Sequence, residues 1–336
     1  MHQDRNHAID VAKFVAALMV IAVHTGLFSD VDSLLYFVVV NILCRQAVPF
    51  FAICTGYFMG GKLTFGDKLE GTADNRAVFR QQLKRVAGLY AVWTVLYLLF
   101  SIPVWRRTGW FSFFAFVDYA VAALTAGSHY HMWYMLYILY SLPLLYLLLR
   151  WVAKKYQWWL IAGLWFLAVF SYVYKDILPV NLAALPDLLN RFSALPVLLP
   201  FLLLGVQISR EEEHPRRSLT LAFAAAILLL TAEAFLLRQS GAEKFSYIVF
   251  TLPVAYFLFH IVRGMRITRG GKTAALSSLS VFIYCVHPMI IETVGVKVDS
   301  TVARWGIVTA IAVALSALYD ALKRRIKGKK VFSCFN

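Results

Sequence analysis

Two ionisable residues, Lys13 and His24, share one apolar segment, with ten residues between them and almost nothing else polar nearby. In an α-helix at about 100° per residue, eleven steps make three turns plus about 20°, so both groups fall on one face roughly 16 Å apart. A cation and an imidazole so placed can serve chemistry that needs a site for an anion and a proton acceptor for a hydroxyl. A third group, Arg45, stands in the run Cys44-Arg45-Gln46-Ala47-Val48-Pro49-Phe50-Phe51, where Pro49 breaks the regular helix and frees carbonyls. Further on, His129 and His131 precede Trp133 and Tyr134, and His287-Pro288 follows Tyr284.

The elements that must position these groups are membrane helices. Of 336 residues, 60% are hydrophobic, 15% aromatic and only 15% charged, far too little polar surface for a water-soluble chain of this length. Ten runs are long enough, or nearly so, to cross a ~30 Å hydrocarbon core. They cover residues 8–28, 34–59, 83–104, 131–150, 158–174, 192–208, 218–237, 247–262, 276–293 and 302–322, the fifth, sixth and eighth being short enough to lie tilted or buried in the bundle. The expected fold is therefore all-α and polytopic, about ten transmembrane helices in a single domain over residues 1–336. The gap from Trp105 to Tyr130 reads as an interfacial or re-entrant segment, and the first span is expected to be retained, because no small-residue cleavage site follows it.

A formal charge of +15 would suggest nucleic acid in a soluble protein, but here the basic residues cluster in short gaps between apolar runs. Lys and Arg number 23 on one side of the expected spans and 8 on the other. The positive-inside rule then places both termini in the cytoplasm and gives the cations a topological role first. Cys44, Cys54, Cys285 and Cys334 are scattered, with neither a disulfide framework nor metal spacing. Gly271-Lys272-Thr273 resembles the end of a phosphate loop, but Arg266 occupies the position of the first glycine and no strand precedes it. There is no Gly-x-Ser-x-Gly elbow and no His-Glu-x-x-His, and Glu211-Glu212-Glu213 reads as a solvated loop.

A buried ionisable group in a membrane is expensive enough to be read as functional. Plainer readings stand beside that one: Lys13 as a snorkelling anchor, His24 as a satisfied bundle residue, His129 as part of an aromatic belt and His260 as structural. Arg45 needs an anion or a polar cavity, and Glu233 and Glu292 are possible partners for it or for the histidines.

These residues, in this order, resemble the acyltransferase-3 family of integral membrane acyltransferases over nearly the whole chain. Asp10-Val11-Ala12-Lys13, ten residues and His24 match the family's Arg, ten residues, His. The stretch from Arg45 through Val48-Pro49-Phe50-Phe51 to Gly56-Tyr57 is similar to its Arg-x-x-Val-Pro-Phe-Phe segment. His131-Met132-Trp133-Tyr134 is similar to His-Leu-Trp-Phe, and Leu279 to His287 to Ser-x-x-Ile-Tyr-x-x-His.

The resemblance implies a bacterial inner-membrane O-acyltransferase with a polar tunnel between its helices. Its donor would be acyl-CoA, normally acetyl-CoA from the cytoplasm, its acceptor a hydroxyl of a cell-envelope or secreted carbohydrate, and it needs no metal. Here His24 would be the general base, and Lys13 and Arg45 would supply electrostatics for the donor or oxyanion. His131, Trp133, Tyr134, Tyr284 and His287 would line the substrate site. Lysine at position 13 departs from the family's usual arginine, keeping the charge but losing the planar fork. The competing expectation is a polytopic transporter of a small solute such as an amino acid. Against it stand the absence of an internal repeat with matching broken helices and the scarcity of carboxylates at membrane depth.

Overall fold

A computed structural model describes residues 6–174, 194–242, 245–267 and 273–326, and among them the chain is helical with no named strand. The helices are α1 (His7–Thr25), α2 (Ser33–Tyr36), α3 (Ala47–Gly60), α4 (Ala73–Thr108), α5 (Phe113–Thr125), α6 (Trp133–Trp151), α7 (Gln157–Tyr172), α8 (Ala194–Ile208), α9 (Arg216–Gln239), α10 (Thr251–Arg263), α11 (Thr273–Thr293) and α12 (Thr301–Ile326). Cys334, the Gly271-Lys272 pair, the start of the expected sixth span and the last basic residues from Lys327 lie outside the described residues.

Among the described residues, seven helical stretches are long and apolar enough to cross a membrane: His7–Thr25, Ser33–Gly60, Ala73–Thr108, Trp133–Trp151, Arg216–Gln239, Ala275–Lys297 and Thr301–Arg325. The chain is thus a multi-pass membrane protein. The other three expected spans correspond to α7, α8 and α10, which have 16, 15 and 13 residues and are too short to count by length alone. Most of α8 from Val197 to Ile208 is almost completely buried, so it is surrounded by protein rather than by lipid. The 36 residues of α4 would reach about 54 Å, because Thr72 caps an extra, basic amphipathic start before the apolar span begins. The expected interfacial segment contains the 13-residue α5, whose Phe113 and Phe114 are about three-quarters exposed.

Two devices hold the frame. Gly56 and Gly60 of α3 face Gly205 and Ser209 at the end of α8, so closely that a Cβ on Gly56 would lie 2.0 Å from the Leu202 carbonyl oxygen. Small residues four apart on both helices permit this backbone contact, which replaces the missing hydrophobic drive between helices in lipid. Between α2 and α3 the chain departs from α-geometry, with a π segment at Phe37–Leu43 and a 3₁₀ turn at Cys44–Gln46. Pro49 in the first turn of α3 has no N–H for the Arg45 carbonyl, so the irregularity falls just upstream, at Arg45 itself. At the far end of α1, Gly26 caps the helix in the left-handed conformation. The following Phe28 is the only non-glycine with positive φ among the described residues, and its N–H donates to Thr301 Oγ1 at 3.1 Å. The main core is built around α1, α3, α6, α8 and α11, with α1 packed along α11.

Candidate functional site

The polar residues gather at two levels of the bundle. At the level of the α1 C-terminus, His24 lies against Tyr130 and His287, with ring centroids 4.9 and 5.2 Å apart. His131 packs against His287 at 5.3 Å and against Tyr284 at 5.4 Å, and His129 packs against His131 at 5.5 Å. Arg45 on its 3₁₀ turn is within electrostatic reach of His24. Arg45 is half-buried, and its Nε is buried without a hydrogen-bond partner.

Why these imidazoles meet can be read from the backbone. Gly127, at φ 106°, turns the chain so tightly after α5 that a Cβ there would sit 2.6 Å from the Trp133 nitrogen. That turn folds residues 128–132 over the start of α6 and carries His129 and His131 inward. From α4, the Tyr90 hydroxyl donates to the Ala123 carbonyl and accepts from the Ser128 N–H at 3.1 Å, while Tyr97 donates to the Cys285 carbonyl at 2.8 Å. Tyr97 also stacks on His129 at 4.4 Å. From α11, Tyr284 donates its hydroxyl to the His131 carbonyl.

The His-Pro dipeptide of α11 fixes a tautomer. Pro288 supplies no N–H to the Tyr284 carbonyl, and His287 Nδ1 takes that place at 2.8 Å, with the Ile283 carbonyl at 3.2 Å. Both partners are acceptors, so Nδ1 must carry the hydrogen and the neutral ring keeps its lone pair on Nε2. Nε2 is buried without a partner, as are both ring nitrogens of His131. His129, expected to be part of an aromatic belt, also belongs to the cluster, and its Nε2 lies 2.9 Å from Glu292. Glu292 therefore finds one of the partners open to it in the sequence. Glu233 does not: it accepts from Tyr174 and from the backbone N–H groups of Val249 and Phe250 at 2.7 and 2.9 Å, satisfying orphan donors before α10.

At the other level, Lys13 approaches Ser277 Oγ at 3.4 Å and lies over the Phe58 ring at 4.6 Å. It lines a cavity of about 510 Å³ together with Lys62, Gln81, Gln82, Arg85, Ser277 and Ser280. Among the described residues, three cations and no carboxylate face this space. Deeper walls are formed by Phe51, Thr55, Met135, Ile138, Tyr134 and Tyr284, and the lining includes none of the histidines. Lys13 and His24 thus share a helix face, as the spacing implied, but serve different spaces. Trp133 packs against Tyr134 and Tyr137 rather than facing the cavity. Sequence reasoning took Lys62 and Arg85 as topology signals and had no signal for Tyr97, since nothing in a run of aromatics marks which hydroxyl is turned inward.

A third cluster is structural. Glu211 Oε2 receives the Tyr256 hydroxyl at 2.9 Å and His260 Nε2 at 3.0 Å, with His214 at 3.7 Å. Burial pushes the Glu211 carboxyl up, but the hydrogen bonds from His260 and Tyr256 outweigh it and hold the group below its usual range. Glu211 is therefore not simply part of a solvated loop; it ties the α8–α9 connection to α10, and His260 has the structural role expected of it. The three groups are close enough to hold a metal ion. The Glu211 oxygen nearest them already accepts two hydrogen bonds, which satisfies this geometry without one.

The chain is 27% identical over 304 residues to a serine/alanine racemase of Enterococcus gallinarum, covering 84% of this chain and 40% of that protein. It is 24% identical over 344 residues to an amino-acid racemase of Enterococcus faecalis, covering 96% of this chain and 46% of that protein. The chain therefore spans less than half the length of these curated relatives. No solved structure matches it. A family model described as an acyltransferase domain matches residues 6–320, so the chain with a cation-lined cavity on one side of Tyr284 and a buried histidine cluster on the other belongs to that acyltransferase family.

Proposed function

We propose that the protein is a membrane O-acyltransferase that moves an acyl group, acetyl in the first instance, from acyl-CoA to a hydroxyl of a cell-envelope or secreted glycan. The observation that carries this reading is the pairing of a cavity lined by Lys13, Lys62 and Arg85, without an acid, with a neighbouring set of buried imidazoles that keep unpartnered nitrogens. A cavity wall that carries cations and no carboxylate suits the phosphates of coenzyme A. Unpartnered imidazole nitrogens suit a sugar hydroxyl, which both donates and accepts.

In this reading the donor enters from the basic end, and its thioester reaches the level of Tyr284. His24 removes the proton of the acceptor hydroxyl as that oxygen attacks the thioester carbonyl carbon. Arg45 offsets the negative charge that develops on the carbonyl oxygen. The carbon–sulfur bond then breaks, and the departing thiolate takes the proton from His24. His287, locked with its lone pair on Nε2, accepts a hydrogen bond from the glycan, and His131 offers one donor and one acceptor beside it.

The positive-inside asymmetry supports a cytoplasmic location for the cation-lined end and for both termini. The test of sidedness is labelling of single cysteines with an impermeant thiol reagent in intact cells, in a cysteine-free background. Ser33→Cys should label and Gly66→Cys should not; the reverse overturns the orientation. For activity, purified protein is supplied with radiolabelled acetyl-CoA and an envelope glycan extract. Label in the glycan supports the reading, and its absence together with undetectable acetyl-CoA binding overturns it.

The racemase names of the relatives favour a second reading, handling of an amino acid by the membrane portion of a longer protein. More than half of each of those proteins lies outside the match, so their printed activity need not reside in the matched part. Uptake of radiolabelled serine or alanine into proteoliposomes containing the purified chain, without any acyl transfer, would replace the first reading with this one.

A further inference from the structure

The donor cavity and the histidine cluster share Tyr284, which lines the first and packs against the second. On the cavity side, Tyr284 meets Tyr134 at 5.9 Å and Phe51 at 6.4 Å, and Phe51 meets Tyr134 at 6.5 Å, so the three rings pack tilted or edge-on in a closed triangle. On the far side, Tyr284 meets His131 at 5.4 Å and His287 at 6.2 Å. All three aromatic residues line the cavity, and no histidine does. These contacts put the three rings between a thioester bound among Lys13, Lys62 and Arg85 and a hydroxyl at the histidines.

The three rings are held unequally. Tyr284 is buried and its hydroxyl is committed to the His131 carbonyl, so moving it would also disturb the turn that carries His131. Tyr134 starts α6 beside the same turn. Phe51 has no polar atom and is only partly buried, so packing alone holds it. Interiors packed this closely resist every added methylene, because room for it must come from displaced side chains. Of the three rings, Phe51 is therefore the one that can yield without breaking a hydrogen bond, whereas displacing Tyr284 costs its bond to the His131 carbonyl.

On the acyl-CoA reading above, we propose that Phe51, Tyr134 and Tyr284 form a gate that admits short acyl groups to the histidine cluster and excludes longer ones, with Phe51 as its moving leaf. The experiment compares kcat/KM for acetyl-, propionyl-, butyryl- and hexanoyl-CoA in the purified full chain with a glycan acceptor. Phe51→Ala should raise the butyryl-to-acetyl ratio about tenfold or more, and should raise hydrolysis of acetyl-CoA when no acceptor is present, because the same opening admits water. Tyr284→Phe, which removes only the anchor, should raise the ratio about two- to threefold. Val86→Ala, on another wall of the cavity, should keep the wild-type ratio. Should Phe51→Ala fail to fold, Phe51→Leu and Tyr134→Leu give the same comparison with smaller cavities.

Ratios within twofold of wild type in the Phe51 and Tyr134 variants, with acetyl transfer retained, overturn the gate and leave the transferase reading standing. A Val86→Ala ratio shifted as far as that of Phe51→Ala also overturns it, because selectivity would then be a property of the whole cavity. Wild-type protein that binds and uses no acyl-CoA of any length overturns the donor reading, and the gate with it.

Discussion

At one level of the bundle, Lys13, Lys62 and Arg85 face a common cavity with no carboxylate among the described residues of its walls; at the other, His24 and His131 both pack against His287, and His131 and His287 keep nitrogens unpaired. The first set consists of fixed charges on long, flexible stems reached from the polar end of the protein. The second consists of rings pinned by tyrosines, a glycine turn and a proline, and its nearest carboxylate, Glu292, is an exposed residue bound to His129. Flexible charges can follow a mobile polyanion but cannot aim a proton. Pinned imidazoles can aim a proton but offer little to a phosphate. On the acyltransferase reading proposed above, affinity falls to one level and chemistry to the other, and mutations at the two should differ in kind as well as in size.

The largest effect is expected at His24. Removing a general base typically forfeits ~10²–10⁴-fold in rate. His24→Ala should lose at least about a hundredfold in kcat, while coenzyme A binding, measured by calorimetry on the detergent-solubilised protein, stays within about twofold of wild type. Retention of more than half of the wild-type turnover would move the base to another member of the cluster, and His287, with its lone pair fixed on Nε2, is then the residue to change.

Arg45 comes next. It belongs to the chemistry level by position, yet it is a charge, so it tests whether the division is strict. Arg45→Lys keeps the charge and loses the planar fork, and kcat/KM should fall about tenfold or more with the melting temperature close to wild type. A fall confined to KM would place Arg45 with the donor cations. Unfolding of both Arg45→Lys and Arg45→Gln would make it a structural pin of the π-to-3₁₀ break.

Lys13 should show the opposite pattern. A charge-assisted contact to a phosphate is supplemented here by Lys62 and Arg85, so Lys13→Gln should raise KM for acetyl-CoA about three- to tenfold and change kcat by less than about twofold. The effect should shrink in high salt, which screens what the lost cation contributed. A kcat defect as large as that of His24→Ala would show that the two levels act on one reacting centre after all.

Much of this division was legible before the structure was known, and the rest was not, for identifiable reasons. The spacing of Lys13 and His24 already put them ~16 Å apart, which is too far for both to touch one small acyl group. His287-Pro288 is likewise a local signal, because the missing N–H of proline and the ring that replaces it are neighbours in sequence. Lys62 and Arg85 read from the sequence first as topology, since a charge tally cannot tell a lysine facing a cavity from one facing water. The His129–Glu292 contact joins residues far apart in sequence, and Tyr97 gains its role only when α4 crosses α11. Among the helices, periodicity located the long apolar runs, while α7, α8 and α10, at 13 to 16 residues, fall below the length that identifies a span by itself.

The smallest effect is expected at the joint that holds the end of α1 in place. Asp30 accepts hydrogen bonds from the Thr301 hydroxyl and, at 3.0 Å, from the Thr301 N–H, which secures the start of α12 beside the turn that follows His24. These bonds, the hydroxyl first and the amide second, hold the Asp30 carboxyl below its usual value of 3.8. A lowered value in the folded state means that the charged form stabilises the fold at any pH above the unfolded value, and that this contribution is lost only as pH falls through the folded one. Asp30 is at the surface, and asparagine can still accept through its amide oxygen, so Asp30→Asn should lower the melting temperature by only about one to two degrees at pH 7. The decrement should be the same at pH 5.5 and should begin to shrink only below about pH 4. A decrement already gone at pH 5.5 would mean that a histidine of the neighbouring cluster, not Asp30, sets the pH dependence of this joint. The absence of any decrement, with activity also unchanged, would show that α1 is held by its packing along α11 and leave the position of His24 independent of the Asp30–Thr301 contact.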